Sequence, residues 1–181
     1  MHDRPQAPLQ PQLTHLDAQG RARMVDVGEK PIIARVAVAE ADFVAQKSTL
    51  DRLVAGELPK GEALAVARVA GILAAKRCDS LIPLCHSLPL DAVSVDFERI
   101  AEDRLRVVAT ARTTARTGVE MEALTAVSIA ALAVWDMVKG IDAALQIEAI
   151  RLRSKVKGNG VETATGAADT EAAAAVREER A

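Results

Sequence analysis

Val93-Ser94-Val95-Asp96-Phe97-Glu98-Arg99-Ile100-Ala101-Glu102-Asp103-Arg104-Leu105-Arg106-Val107-Val108-Ala109-Thr110-Ala111 places apolar residues at 93, 95 and 97, then at 105, 107, 109 and 111. Side chains alternate between the two faces of a strand, so each run buries one face and wets the other. Residues 101–104 between the runs form a turn. The whole stretch therefore reads as an antiparallel hairpin.

Toward the N-terminus, Pro83 and Pro89 make 81–90 an irregular loop, because proline lacks the amide hydrogen that regular elements use. Residues 62–77 are alanine-rich and read as a helix, entered through the loop Glu57-Leu58-Pro59-Lys60-Gly61. Residues 41–55 read as another helix, with Phe43, Leu50, Leu53 and Val54 inward and Gly56 ending it. Residues 31–39 read as a strand, with Ile32, Ala34, Val36 and Val38 on one face and Arg35 on the other. Toward the C-terminus, 120–139 reads as a long helix whose apolar stripe is Leu124, Val127, Ala131, Trp135 and Val138. Gly140 ends it, and 145–155 reads as the last strand.

Strand, helix pair, hairpin, helix, strand is an α+β order. It predicts a ferredoxin-like split β-α-β plan: a four-stranded antiparallel sheet with helices on one face, plus an extra helix. The open face of such a sheet needs cover, which points to association. Residues 1–12 hold three prolines and read as a disordered leader, 13–157 as the single domain, and 158–181 as a flexible tail.

Of the 181 residues, 50% are hydrophobic and the formal net charge is -2, which disfavours a nucleic-acid surface. The aromatics are Trp135, Phe43 and Phe97, too few for base stacking. A core of Ala, Val, Leu and Ile fills little volume per side chain, so a small subunit gains by burying surface in a homo-oligomer. The opening residues are not those of a signal peptide, and the apolar run 123–138 is interrupted by Thr125, Ser128 and Asp136. These features predict a cytoplasmic protein without a membrane span, with Cys78 and Cys85 reduced.

Four places could carry chemistry. Arg151, Arg153, Lys155 and Lys157 recur at every second position, which in an unbroken strand puts all four on one face. Such a row suits an anion, but for a lone basic strand a sheet edge protected by charge is the simpler reading. Thr117 and Gly118 precede the long helix, whose exposed amides favour an anion, or else simply cap it, with Glu120 and Glu122 complementing the dipole. Asp136 and Lys139 are neighbours on that helix and read as a proton-exchanging pair or a surface ion pair. Cys85 and His86 are adjacent, so their side chains diverge, and with Cys78 they lack the second pair that a zinc site needs. Glu122 and Asp136 lie fourteen positions apart, roughly 21 Å along a helix at ~1.5 Å per residue. They cannot flank one bond unless a site combines two subunits.

Taken together, several stretches resemble one family. They are Leu13-Thr14-His15-Leu16, Met24-Val25-Asp26-Val27, Ala74-Ala75-Lys76-Arg77, Leu81-Ile82-Pro83-Leu84-Cys85-His86, Thr117-Gly118-Val119-Glu120-Met121-Glu122-Ala123-Leu124-Thr125-Ala126, and Asp136-Met137 with Lys139. In order and separation they resemble the cyclic pyranopterin monophosphate synthase (MoaC) family of molybdenum-cofactor biosynthesis. The resemblance implies a lyase converting 3′,8-cyclo-7,8-dihydroguanosine 5′-triphosphate to cyclic pyranopterin monophosphate and pyrophosphate. It implies a homohexamer, a trimer of dimers with sites at subunit interfaces.

The resemblance also implies roles. Leu84, Cys85 and His86 hold the substrate; Glu120, Met121 and Glu122 line its pterin-like end. Asp136 is the catalytic carboxylate, with Lys139 and Lys60 as catalytic lysines; Arg35 and Lys155 grip the triphosphate. No cofactor is implied, although magnesium can accompany the phosphates. Ser87 stands where the family usually has proline and Arg116 where it has lysine, and 156–158 match its glycine-rich basic end only in part. The competing reading is a non-catalytic phosphometabolite-binding module of the same fold. An RNA-binding sheet would need aromatics that 105–112 lack.

Overall fold

The computed structural model describes residue 17, residues 19–158 and residues 160–163. The leader 1–12, the stretch Leu13 to Leu16 and positions 164–181 lie outside the described residues. The elements are β1 (Ile33–Val44), α1 (Lys47–Ala55), α2 (Ala63–Ala75), α3 (Cys78–Leu81), β2 (Leu90–Ala101), β3 (Arg104–Ala115), α4 (Glu120–Val138), β4 (Gln146–Lys157) and β5 (Gly160–Thr163). The strands form one antiparallel sheet in the order β2-β3-β1-β4-β5. β3 lies between the two strands that the helix pair connects, so that β-α-β unit is split. The architecture is α+β.

The hairpin forms as its alternation demands, with Phe97 opposite Val107 and Val95 opposite Ala109. In β1, Ala37, Ala39, Ala41 and Phe43 alternate inward beneath the helices, and all are buried. This corrects the helix expected from residue 41: 41–44 continue the strand, and α1 begins at Lys47. The cause is non-local, since β3 and β4 pair with β1 on both sides through Val44. The other face of β1 presents Glu40 and Asp42, whose burial would be costly without partners. Arg151 binds Glu40, while Arg106 Nε lies 3.0 Å from Asp42 Oδ1.

Alanine and glycine permit close layers. Gly71 of α2 faces Ala126 and Ala130 of α4, and a methyl there would stand 2.8 Å from the Ala126 carbonyl oxygen. α4 is the central helix, burying Ala123, Ala126, Val127, Ala130, Ala131, Val134 and Val138. Among the described residues it is the one helix long and apolar enough to cross a membrane, with a mean hydropathy of 1.6. Thr125, Ser128 and Asp136 lie along it without breaking it. Its burial between α2 and the sheet accounts for the same composition.

β4 overturns the row of cations expected on one face. Its register against β1 shifts between Val38 and Ala39, where Arg153 is the extra residue, and again between Glu40 and Asp42, where Ala149 takes φ 50°. A bulge inserts one residue and reverses the alternation beyond it. Arg151 and Arg153 consequently turn toward Glu40 on the open face. Lys155 and Lys157 pair with Ala37 and Arg35 and share their helix-covered face. β4 continues through Lys157, turns at Gly158 with φ 59°, and returns as β5, a short strand added where 158 onward reads as tail.

Candidate active site

The residues singled out above fall into two groups at opposite ends of α4. At its N-terminal end lies an open cleft of about 340 Å3 lined by Leu84, Cys85, His86, Glu120, Met121 and Glu122. The loop after α3 brings the first three, and the first turn of α4 brings the others. That loop is pinned where Thr113 Oγ1 donates to the Pro89 carbonyl at 2.7 Å and where Ser87 donates to the Asp79 carboxylate of α3. Ser87, at the departure noted above, thus ties the loop to α3 through its hydroxyl.

Charge in the cleft is shaped by burial. Glu122 is 4% exposed, and desolvation pushes its carboxyl above the usual carboxylate range. Its own backbone amide opposes that shift, while Glu120 and Asp79 add to it. Burial likewise raises the Cys85 thiol and pushes Cys78 up to about 12, despite the Thr125 hydroxyl at 3.5 Å. Neither thiol is poised as a thiolate nucleophile at neutral pH. His86 Nε2 is engaged 2.8 Å from the Val25 carbonyl oxygen, which leaves no Cys-His dyad through that nitrogen.

A narrower recess adjoins the cleft through Gly118 and Glu120, lined also by Arg35, Lys155 and Lys157. The Arg35 guanidinium donates to the carbonyls of Ala115 at 3.1 Å and Arg116 at 3.0 Å, and Lys155 Nζ stands 3.7 Å from Glu120 Oε1. Three cationic residues beside a helix start are a suitable cradle for phosphate oxygens.

At the far end of α4, Asp136 collects two ammonium groups. Lys139 Nζ is 2.6 Å from Oδ1, and Lys60 Nζ is 3.7 Å from Oδ2 and 2.8 Å from the Asp136 carbonyl oxygen. Lys60 arrives from the turn closed by Gly61, whose φ of 86° suits glycine. Lys139 first, then Lys60, hold the Asp136 carboxyl below its ordinary value. All three side chains are at least half exposed. An unbroken α4 separates this trio from Glu122 by roughly 21 Å at ~1.5 Å per residue. One chain therefore brings together Lys60, Asp136 and Lys139, and separately Arg35, Leu84, Cys85, His86, Glu120, Met121, Glu122 and Lys155.

The residues named above, in their order along the chain, are those of a known family. The family model described as the MoaC family matches residues 24–158. This chain belongs to the MoaC family. Among its curated relatives, the cyclic pyranopterin monophosphate synthase of Herpetosiphon aurantiacus is 58% identical over 147 residues, covering 81% of this chain and 90% of the relative. That of Chloroflexus aggregans is 58% identical over 148 residues, with 81% and 90% covered. Cyclic pyranopterin monophosphate synthase 1 of Mycobacterium tuberculosis is 53% identical over 146 residues, with 81% and 86% covered.

The family match starts just before a part of the cleft that the residue patterns did not assign. Val25, Val27 and Lys30 line it, together with Leu88 and Thr117. Val25 and Val27 are half-buried between exposed neighbours, a period of two too short to register as an element. Lys30 is a lone cation before a proline, with no local pattern to mark it.

Proposed function

We propose that this chain is a cyclic pyranopterin monophosphate synthase acting in molybdenum-cofactor biosynthesis in the cytoplasm. It converts 3′,8-cyclo-7,8-dihydroguanosine 5′-triphosphate to cyclic pyranopterin monophosphate and pyrophosphate, as a phosphorus-oxygen lyase. The observation that carries the reading is the meeting of Lys60, 76 positions before Asp136 in the chain, with Lys139 around that carboxylate. The names and high identity of the relatives support the reaction itself.

Rebuilding a purine-derived ring needs several proton transfers, and ammonium groups touching a carboxylate can relay them. Glu120, Met121 and Glu122 receive the base-derived end, and the Leu84-Cys85-His86 loop holds it. Arg35 and Lys155 hold the triphosphate and stabilise charge on the departing pyrophosphate. The reaction needs no redox cofactor. Any magnesium would arrive with the phosphates.

The working unit is a homohexamer, a trimer of dimers, in which the Lys60-Asp136-Lys139 trio of one subunit completes the cleft of another. The length of α4 supports this, since one chain keeps its two groups apart. Pyrophosphate release from the cyclic dihydroguanosine triphosphate tests the reaction. Binding of that compound by folded protein without release would make the chain a phosphometabolite-binding module instead. Mixing Lys60→Ala subunits with His86→Ala subunits tests the shared site: restored turnover is expected, and none would confine each site to one chain.

A further inference from the structure

Residues 19–32 run as a strap before β1, and its middle forms one wall of the cleft through Val25, Val27 and Lys30. Among the described residues, two side chains from elsewhere in the fold bond to its main chain. His86 Nε2 meets the Val25 carbonyl oxygen at 2.8 Å, and Arg116 Nε donates to the Lys30 carbonyl at 3.2 Å. Between them the strap shapes itself: the Gly28 amide donates to Asp26 Oδ1 at 2.8 Å, and the Lys30 amide donates to the Val27 carbonyl at 3.0 Å.

The contact at His86 settles a matter of polarity. A carbonyl oxygen can only accept, so a ring nitrogen 2.8 Å from it must carry the proton. With the proton on Nε2, a neutral imidazole keeps its lone pair on Nδ1. The opposite tautomer would set two lone pairs against each other at that distance. Among the described residues no protein group takes Nδ1 in a hydrogen bond.

The geometry points to Val25 as a positioning residue: its carbonyl holds the proton of His86 on Nε2, so that the neutral ring meets the ligand through Nδ1 as a hydrogen-bond acceptor. The identity of the ligand rests on the proposed function; the tautomer does not. An acceptor there selects for an N-H or O-H donor, of the kind that a reduced purine ring or a ribose hydroxyl presents. It gives nothing to an ionised phosphate oxygen, which has no proton to donate. His86 therefore reads the base or sugar, and the polyanion is left to Arg35 and Lys155. The N-terminal strap contributes to specificity through its main chain, without a polar side chain of its own at Val25.

Long-range 1H-15N correlation on the full-length, histidine-labelled protein at neutral pH tests this, with His86→Gln assigning the resonance. The expected signature is a proton bound to Nε2, protected from solvent exchange, with Nδ1 at the position of an unprotonated ring nitrogen. A proton on Nδ1, protons on both nitrogens, or an Nε2 proton exchanging as freely as in a model imidazole would each overturn the proposal. Absence of pyrophosphate release would leave the signature intact, and an Nδ1-H signature would leave the reaction intact, so the two readings fail separately.

Discussion

Gly71→Ala probes the close approach of α2 to α4. The new methyl would stand 2.8 Å from the Ala126 carbonyl oxygen, 3.0 Å from Val95 Cγ2 and 3.1 Å from the Ala130 methyl. The nearest of these is main chain within a helix and cannot swing aside, so α2 must lift away from α4. Overpacking of this kind costs roughly 1–3 kcal/mol. Alanine regains roughly 1 kcal/mol over glycine inside a helix. The net loss is about 1 kcal/mol, which lowers Tm by roughly 2–4 °C in a domain of this size. Thermal unfolding by circular dichroism and the urea midpoint should both fall. Gly118→Ala is the control. Its methyl would meet the Glu120 carboxylate at 1.8 Å, but that is the end of a flexible side chain, so Glu120 moves and Tm holds. A Gly71→Ala protein melting at or above the parent in both assays would refute the inferred closeness of the two helices.

Lys60→Ala and Asp136→Asn should each lower pyrophosphate release by roughly 10²–10⁴-fold, the usual weight of a proton-transferring group, while leaving the assembly intact by size-exclusion chromatography. Near-parental rates in both would remove the trio from catalysis. Glu122→Gln should make stability less dependent on pH. Burial raises the native Glu122 carboxyl above 4.5, so the native state binds the extra proton and the parent loses stability as pH rises through the window from 4.5 to that raised value. Tm of the variant relative to the parent should therefore climb across that window and then level off; a constant difference would contradict it. Cys78, its thiol pushed up to about 12, should resist alkylation at pH 8 until the protein is unfolded, as mass spectrometry of the labelled chain would show.

Patterns that repeat every two or every 3.6 residues report burial directly, and they located most of the fold. The hairpin at 93–111 needed nothing beyond its own alternation, and the Phe97-Val107 pairing follows from it. The α4 stripe likewise marks a helix lying on a core. The family stretches also carried the site residues, because Leu84-Cys85-His86 and Glu120-Met121-Glu122 are contiguous and read without knowledge of contacts. Residues 41–44 read from the sequence as the start of a helix. Their alternation, Ala41 and Phe43 inward against Asp42, is so short that helix and strand fit equally well until partner strands are in place.

The main run of strand, helix pair, hairpin, helix and strand, the alanine-based core and the membership of a family of known chemistry were determined by the sequence alone, since each depends on local periodicity or on contiguous residues; α3 and β5 were not. Tertiary structure alone decided which cations share a face, because a bulge at Arg153 reverses the alternation only relative to β1. It also placed Val25 against His86 and Lys60 against Asp136, contacts 61 and 76 positions apart. No local period encodes such distances; they follow from how the strap, the loops and the ends of α4 pack once the sheet has set the frame.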